Sequence, residues 1–300
     1  MPPTPRKGAR RIAEIPPETL AAINRGDIDT VNLVEYLAAD LVLLLPAAAA
    51  RINLDPAHPA ILATVARLPT LKPMQRHWAA AETLHRIIAD DVSRRQALAT
   101  QTSDILRQWA AMFCGLDTGK TLAERLANAR PFAADPHFGV REIAWLAVRN
   151  AVVAESALAL ELLLPWVSET DANLRRFASE LTRPRGVWCA HIESLKQDPS
   201  PGLILLQPLR TDLSRYVQDS VANWLNDAAK TRPDWTKAVC RAWLEENTGK
   251  ATAYICRRGQ RHLSKAGPDR LIGKPGLNQT ATERLARMTF PLPVPTAGDV

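Results

Sequence analysis

Four stretches from residue 135 onward repeat one pattern. Each has a turn or polar start, an aliphatic anchor, polar residues, and a small or aliphatic residue four after the anchor. They are DPHFGVREIAW (135–145), TDANLRRFAS (170–179), DLSRYVQDSVA (212–222) and, more weakly, ATAYICRRG (251–259). The anchors Val140, Leu174, Val217 and Ile255 lie 34, 43 and 38 residues apart. A variable period of about forty residues with two helices per unit marks a HEAT-like α-solenoid. One helix pair cannot bury its apolar face alone, so neighbours must stack. The expected fold is all-α, with HEAT-like helical repeats stacked as a curved α-solenoid that carries a basic concave face.

The rest of the sequence fits that class. Apolar residues recur at three and four, as in Leu84, Ile87 and Ile88 or Ile105, Trp109, Met112 and Phe113. Glycine is scarce, at 13 of 300 residues, and strand-like alternation is missing. The expected organisation is a basic, loose N-terminal arm over 1–16 and a single HEAT-like-repeat domain over 17–267. A Pro- and Gly-containing, poorly ordered tail then covers 268–300, with at most one short helix, around 281–288. The most apolar stretch, Leu33 to Ile52, contains Glu35, Asp40 and Pro46, and reads as core helix rather than membrane span. The basic start MPPTPRKGARR is followed by no apolar segment, which excludes a secretory signal and points to the cytoplasm. Cys114, Cys189, Cys240 and Cys256 share no metal-ligand spacing and read as free thiols of a reducing compartment. Lys and Arg outnumber Asp and Glu by 38 to 31, a net charge of +7 that suits a polyanionic partner.

The repeat also predicts a surface. The anchor and position +4 face the core, while +2, +6 and +10 share another stripe of the same helix. These positions hold Glu142, Leu146 and Asn150, then Arg176, Glu180 and Pro184, then Asp219, Asn223 and Asp227, then Arg257, Arg261 and Lys265. Acids and bases therefore line up along stacked units.

Two stretches stand out chemically. In NLRRFASELTRPRGVW (173–188), Arg175, Arg176, Arg183 and Arg185 surround Glu180, and Pro184-Arg185-Gly186 ends the helix just before Trp188. In DLSRYVQDSVANWLNDAAKTRPDW (212–235), Asn223, Asn226 and Asp227 sit in one amphipathic helix despite low helix propensity, as a contact surface would require. These stretches, with the intervening DPSP and the later ICRRGQRHLSKAG, resemble the AlkC branch of the AlkC/AlkD HEAT-like-repeat DNA glycosylases. The resemblance is close over residues 120–267 and extends to the N-terminal third only in helical character.

The resemblance implies excision of cationic alkylated bases, such as 3-methyladenine, from double-stranded DNA without base flipping or any cofactor. Carried over by position, Glu180 and Asp227 match the acidic residues and Trp188 the aromatic one. A further acid is expected one repeat earlier, where Trp145 or Leu146 stands. Glu142 substitutes there only with a gap. Leu181 replaces the glycine that follows the first acid in the family. Arg176, Arg183, Arg185, Asn223, Arg257, Arg258, Arg261 and Lys265 are the expected DNA-binding residues, in a protein that acts as a monomer.

The chemistry stands without the resemblance. An N3-alkylated purine is already cationic and leaves without a general acid, while positive charge develops on the sugar. Carboxylates beside the sugar stabilise that charge and orient water, and a Trp face adds a cation–π contribution. Two rival functions are a non-catalytic HEAT-like DNA-binding protein, favoured by Trp145 at the acidic position, and a protein-interaction scaffold. Other features read as ordinary structure. GLDTGKT (115–121) is one residue short of a P-loop and follows a helix. His77 and His85 read as core or surface residues and His137 as a turn or cap residue. Trp109, Trp166 and Trp243 fall at core spacing, whereas Trp188 and Trp145 are set apart from the core.

Overall fold

A computed structural model describes residues 6–186 and 189–265 of the chain. Trp188 and the 268–300 tail, each given a role or a state above, lie outside the described residues. Every regular element among those described is helical. In order these are α1 (Pro17–Arg25), α2 (Leu33–Ala38), α3 (Leu41–Arg51), α4 (Pro59–Arg67), α5 (Pro73–Ile87), α6 (Val92–Ala99), α7 (Asp104–Leu116) and α8 (Leu122–Ala133). Then come α9 (Phe138–Ala154), α10 (Ser156–Leu163), α11 (Ala172–Leu181), α12 (Glu193–Gln197) and α13 (Leu203–Leu209). The last four are α14 (Arg215–Ala229), α15 (Pro233–Glu246), α16 (Lys250–Gly259) and α17 (Arg261–Lys265). None is long and apolar enough to cross a membrane. The chain divides within α9 into two compact units, 1–148 and 149 onward.

In the first unit, Leu44, Leu45, Leu84, Leu106, Trp109 and Met112 form one fully buried cluster. His77 belongs to it. Its ring stacks on Tyr36 at 4.5 Å, and its Nδ1 accepts from the Trp109 indole at 3.2 Å. Burial, and then the nearby Arg76 charge, push its pKa down to about 3, so it is a neutral core histidine as expected. His85 instead pairs with Asp117 at 2.7 Å, and Arg95 holds both oxygens of the same carboxylate. The P-loop look-alike resolves into a helix cap: Thr121 Oγ1 accepts from the Glu124 amide, and Glu124 returns the bond to the Thr121 amide. His137 caps α9 by accepting from the Gly139 amide, matching the expected turn role.

Two expectations change. The N-terminal arm is pinned from Arg6 onward. Arg6 forks onto buried Glu35 at 2.6 and 2.8 Å, and Asn32 donates to the Ala9 carbonyl. A basic start reads as loose only while its acidic partner, 29 residues away in sequence, is unknown. Trp145 is not apart from the core. It is 4% exposed, and its indole donates to Glu142 at 3.0 Å.

A latch explains how the repeats register. In the residue after each of the first two anchors, Arg141 Nη1 donates to the Asp135 and Pro136 carbonyls, and Arg175 Nη1 to the Glu169 and Thr170 carbonyls. Each arginine thus ties its helix to the loop that precedes it. Arg107, one 34-residue period before Arg141, does the same to the Gln101 and Thr102 carbonyls. The repeat therefore begins one unit earlier than the sequence pattern shows, with Leu106 as its anchor. The other guanidinium edge reaches forward. Arg107 forks onto Asp135 and Arg175 onto Asp212, and each aspartate also accepts the amide two residues on.

Candidate functional site

The candidate site lies in the second unit, where α11 ends against α14. The apolar face of α11 buries Leu174, Phe177 and Ala178, which leaves Glu180 and the following turn facing α14. The last carbonyls of α11 are all occupied. Arg149, fully buried on α9, donates to the carbonyls of Leu181, Arg183 (2.7 Å) and Ala190 (2.9 Å). The Trp224 indole takes the Thr182 carbonyl at 3.0 Å. A cation at a helix C-terminus satisfies orphan carbonyls and opposes the helix dipole. Gly186 completes the turn, because a Cβ there would collide with Cys189 Sγ.

This turn presents Arg183 to two acids. Its Nη1 donates to Glu180 Oε1 at 2.5 Å, while its Nε and Nη2 both reach Asp227 Oδ2, at 2.9 and 2.7 Å. Glu180 Oε2 accepts from Ser220 at 2.7 Å and lies 3.7 Å from Arg176. Asp227 Oδ1 accepts from Lys230 at 2.9 Å. Glu180 is 4% exposed and Asp227 is 1% exposed. Burial alone would raise the Glu180 pKa. The charges of Arg183 and Arg176, with the hydrogen bonds from Arg183 and Ser220, outweigh it and hold the carboxyl below its usual range. Burial likewise opposes the Arg183 charge, and the two carboxylates overcome it and raise its pKa.

The predicted stripe on α14 is real, and its residues are partnered. Asn223 accepts from Arg261 at 2.9 Å, and Asn226 accepts from the His262 amide at 3.1 Å. The two asparagines thus dock α17. Asp219 accepts from the Tyr254 hydroxyl and lies 3.4 Å from Arg258. Arg257 is exposed, 5.9 Å from the centre of the Tyr254 ring, and Lys265 ends α17. Arg185 is half-buried in the turn, its Nε without a hydrogen-bond partner among the described residues. Glu142 belongs to the first unit, where it holds the Trp145 indole. No group of acids, histidines and cysteines among the described residues is arranged to hold a metal ion.

The structure also resembles a solved one. It matches the Pseudomonas fluorescens alkylpurine DNA glycosylase AlkC, bound to DNA containing an abasic site analogue, with a TM-score of 0.63 and 25% identity over 76% of this chain and 64% of that one. The chain has an AlkC-like fold. Among curated sequences it is 36% identical over 143 residues to the uncharacterized protein YhaZ of Bacillus subtilis (strain 168). That match covers 48% of this chain and 40% of YhaZ, and the AlkC match too spans less than two thirds of its partner. No family model matches.

Within this AlkC-like fold, sequence reasoning missed Arg149, Ser220 and Lys230. Arg149 had a signal, a lone charge inside the apolar run AWLAVRNAVVA (144–154). Lys230 had one too, its i,i+3 spacing from Asp227 at the end of the same helix, whereas Ser220 had none, since its partner lies on another helix.

Proposed function

We propose that the chain excises cationic alkylated bases from double-stranded DNA by hydrolysing the N-glycosidic bond, as a base-excision-repair enzyme of the cytoplasm. The observation that carries this reading is the convergence of Glu180 and Asp227, from adjacent repeats, on one arginine. Two anions held together in a desolvated setting are suited to a sugar that becomes positively charged as its base leaves. Arg183 offsets their mutual repulsion in the free protein, and a cationic sugar would replace part of its role. The DNA-bound AlkC neighbour supports DNA as the partner. Trp188 is the proposed aromatic neighbour of the sugar, and Arg176, Arg185, Arg257, Arg258, Arg261 and Lys265 the proposed phosphate contacts. The reaction needs no cofactor, because the leaving base already carries the charge.

A second reading, DNA binding without cleavage, is favoured by Trp145 at the position where the family carries an acid. Its burial means that this position offers an indole locked onto Glu142 rather than a free carboxylate. One assay separates the two. Duplex DNA carrying methylated purines is incubated with the protein, and free bases are resolved by HPLC. Release of 3-methyladenine is expected; tight binding to the same DNA with no released base would leave the binding role alone.

A further inference from the structure

Away from the carboxylates, the start of α14 and the middle of α16 build a second feature. The Arg215 guanidinium carbon lies 3.1 Å from the centre of the Tyr254 ring, and that of Arg176 lies 4.2 Å from the centre of the Tyr216 ring. Tyr216 and Tyr254 each immediately precede a repeat anchor, 38 residues apart, so a tyrosine–arginine pair recurs in two successive units, its arginine two residues after an anchor in one and two before an anchor in the other. In both, a tyrosine of one repeat carries an arginine contributed by the repeat before it. Tyr254 is fixed in turn by donating its hydroxyl to Asp219. Arg215, Arg257 and Arg258 are exposed around it; Arg258 lies 3.4 Å from Asp219, and Arg215 donates to Gln218 at 3.2 Å.

We propose that these tyrosines are platforms that hold arginines ready for the phosphodiester backbone of duplex DNA, as a track separate from the carboxylate cluster. A guanidinium seated over a ring is already held in place and loses little further rotamer freedom on meeting a phosphate. The track connects with the candidate site, because Arg176 serves both: it lies over Tyr216 and approaches Glu180. Asp219 and Asp227 stand eight residues apart on α14, about 12 Å of helix. That is the axial rise of about three to four nucleotides of one strand. The track would thus grip phosphates flanking the nucleotide whose sugar meets the carboxylates. This placement rests on the proposed function, whereas the platform itself does not.

The consequence is unusual: a substitution that changes no charge should weaken a charge-driven interaction. The test is fluorescence anisotropy with undamaged duplex DNA over a range of salt, so that no excision is involved. Arg215→Ala and Tyr254→Leu are each expected to weaken binding several-fold and to flatten the log–log salt dependence by about 0.9 for each phosphate no longer neutralised. Tyr254→Phe, which keeps the ring, is expected to bind as the wild type does. An unchanged slope and affinity for the folded Tyr254→Leu protein overturn the platform. Tyr216→Leu, which removes the ring under Arg176 without changing charge, reads the same effect should Tyr254→Leu fail to fold. A flattened slope in a protein that releases no base would keep the track and reject the glycosylase reading; release with unchanged slopes would do the reverse.

Discussion

Glu180 is a buried carboxylate whose ionisation depends on its donors, and the hydrogen-bond directions around it are fixed. A carboxylate only accepts, so Ser220 must give its proton to Glu180 at 2.7 Å. Ser179, 2.8 Å from Ser220, therefore donates to Ser220. Both hydroxyls are buried, and the chain is polarised toward the charge. Ser220→Ala removes a donor to the ionised form. We expect the Glu180 carboxyl to titrate at higher pH, read directly by carbon NMR of labelled glutamate. Stability at neutral pH should fall by about 1.5–3 kcal/mol, the contribution of a hydrogen bond to a charged group. An unmoved titration would show that the arginines alone set the charge. His77 makes the opposite kind of prediction. Its folded pKa, about 3, lies below its unfolded value of 6.5, so the unfolded state binds a proton first as pH falls. Stability should decline from about pH 6.5 toward pH 3. His77→Gln should flatten that part of the melting curve; an unaltered slope in the variant would place the linkage elsewhere.

At the scale of elements, the latch arginines add polar links between helix pairs that stack by burying their apolar faces. Arg175 is 17% exposed and Asp212 5% exposed as side chains, and their forked contact joins successive repeats. A double-mutant cycle of Arg175→Ala and Asp212→Asn should give a coupling energy of about 0.5–3 kcal/mol in urea unfolding. Additive losses would mean that the pair only decorates the interface. The same elements show what the sequence can carry. Helical character, the anchors and the stripe on α14 were legible because helix periodicity is local. The Leu106 unit was not, because its mark is an arginine bonding to carbonyls of its own loop, and no residue pattern announces that geometry. Repeat spacing put Glu180 and Asp227 on one surface stripe, and the family resemblance singled them out as the acids. That one guanidinium would bridge them required the turn after α11, which Arg149 holds from 34 residues away. Trp145 misled for a related reason: a tryptophan beside an acid at a family position looks exposed until its indole is found bonded to that acid.

For the whole molecule, net charge and fold make the same demand. An excess of seven positive charges on an AlkC-like fold should give DNA binding that weakens steeply with salt. Arg261→Ala with Lys265→Ala should lower the slope, and a salt-independent affinity would remove nucleic acid as the partner. Asp227 is the residue on which excision depends most directly under the proposed function. Its charge is set between Arg183 and Lys230 at 1% exposure, so Asp227→Asn also costs stability, and melting must be followed beside activity. The decisive measurement is the single-turnover rate of 3-methyladenine release from methylated duplex DNA by the folded Asp227→Asn protein, at saturating enzyme. We expect a fall of about 100-fold, the loss of roughly 2.7 kcal/mol of electrostatic stabilisation, with DNA binding equal or tighter. A wild-type rate from the folded variant would contradict the account.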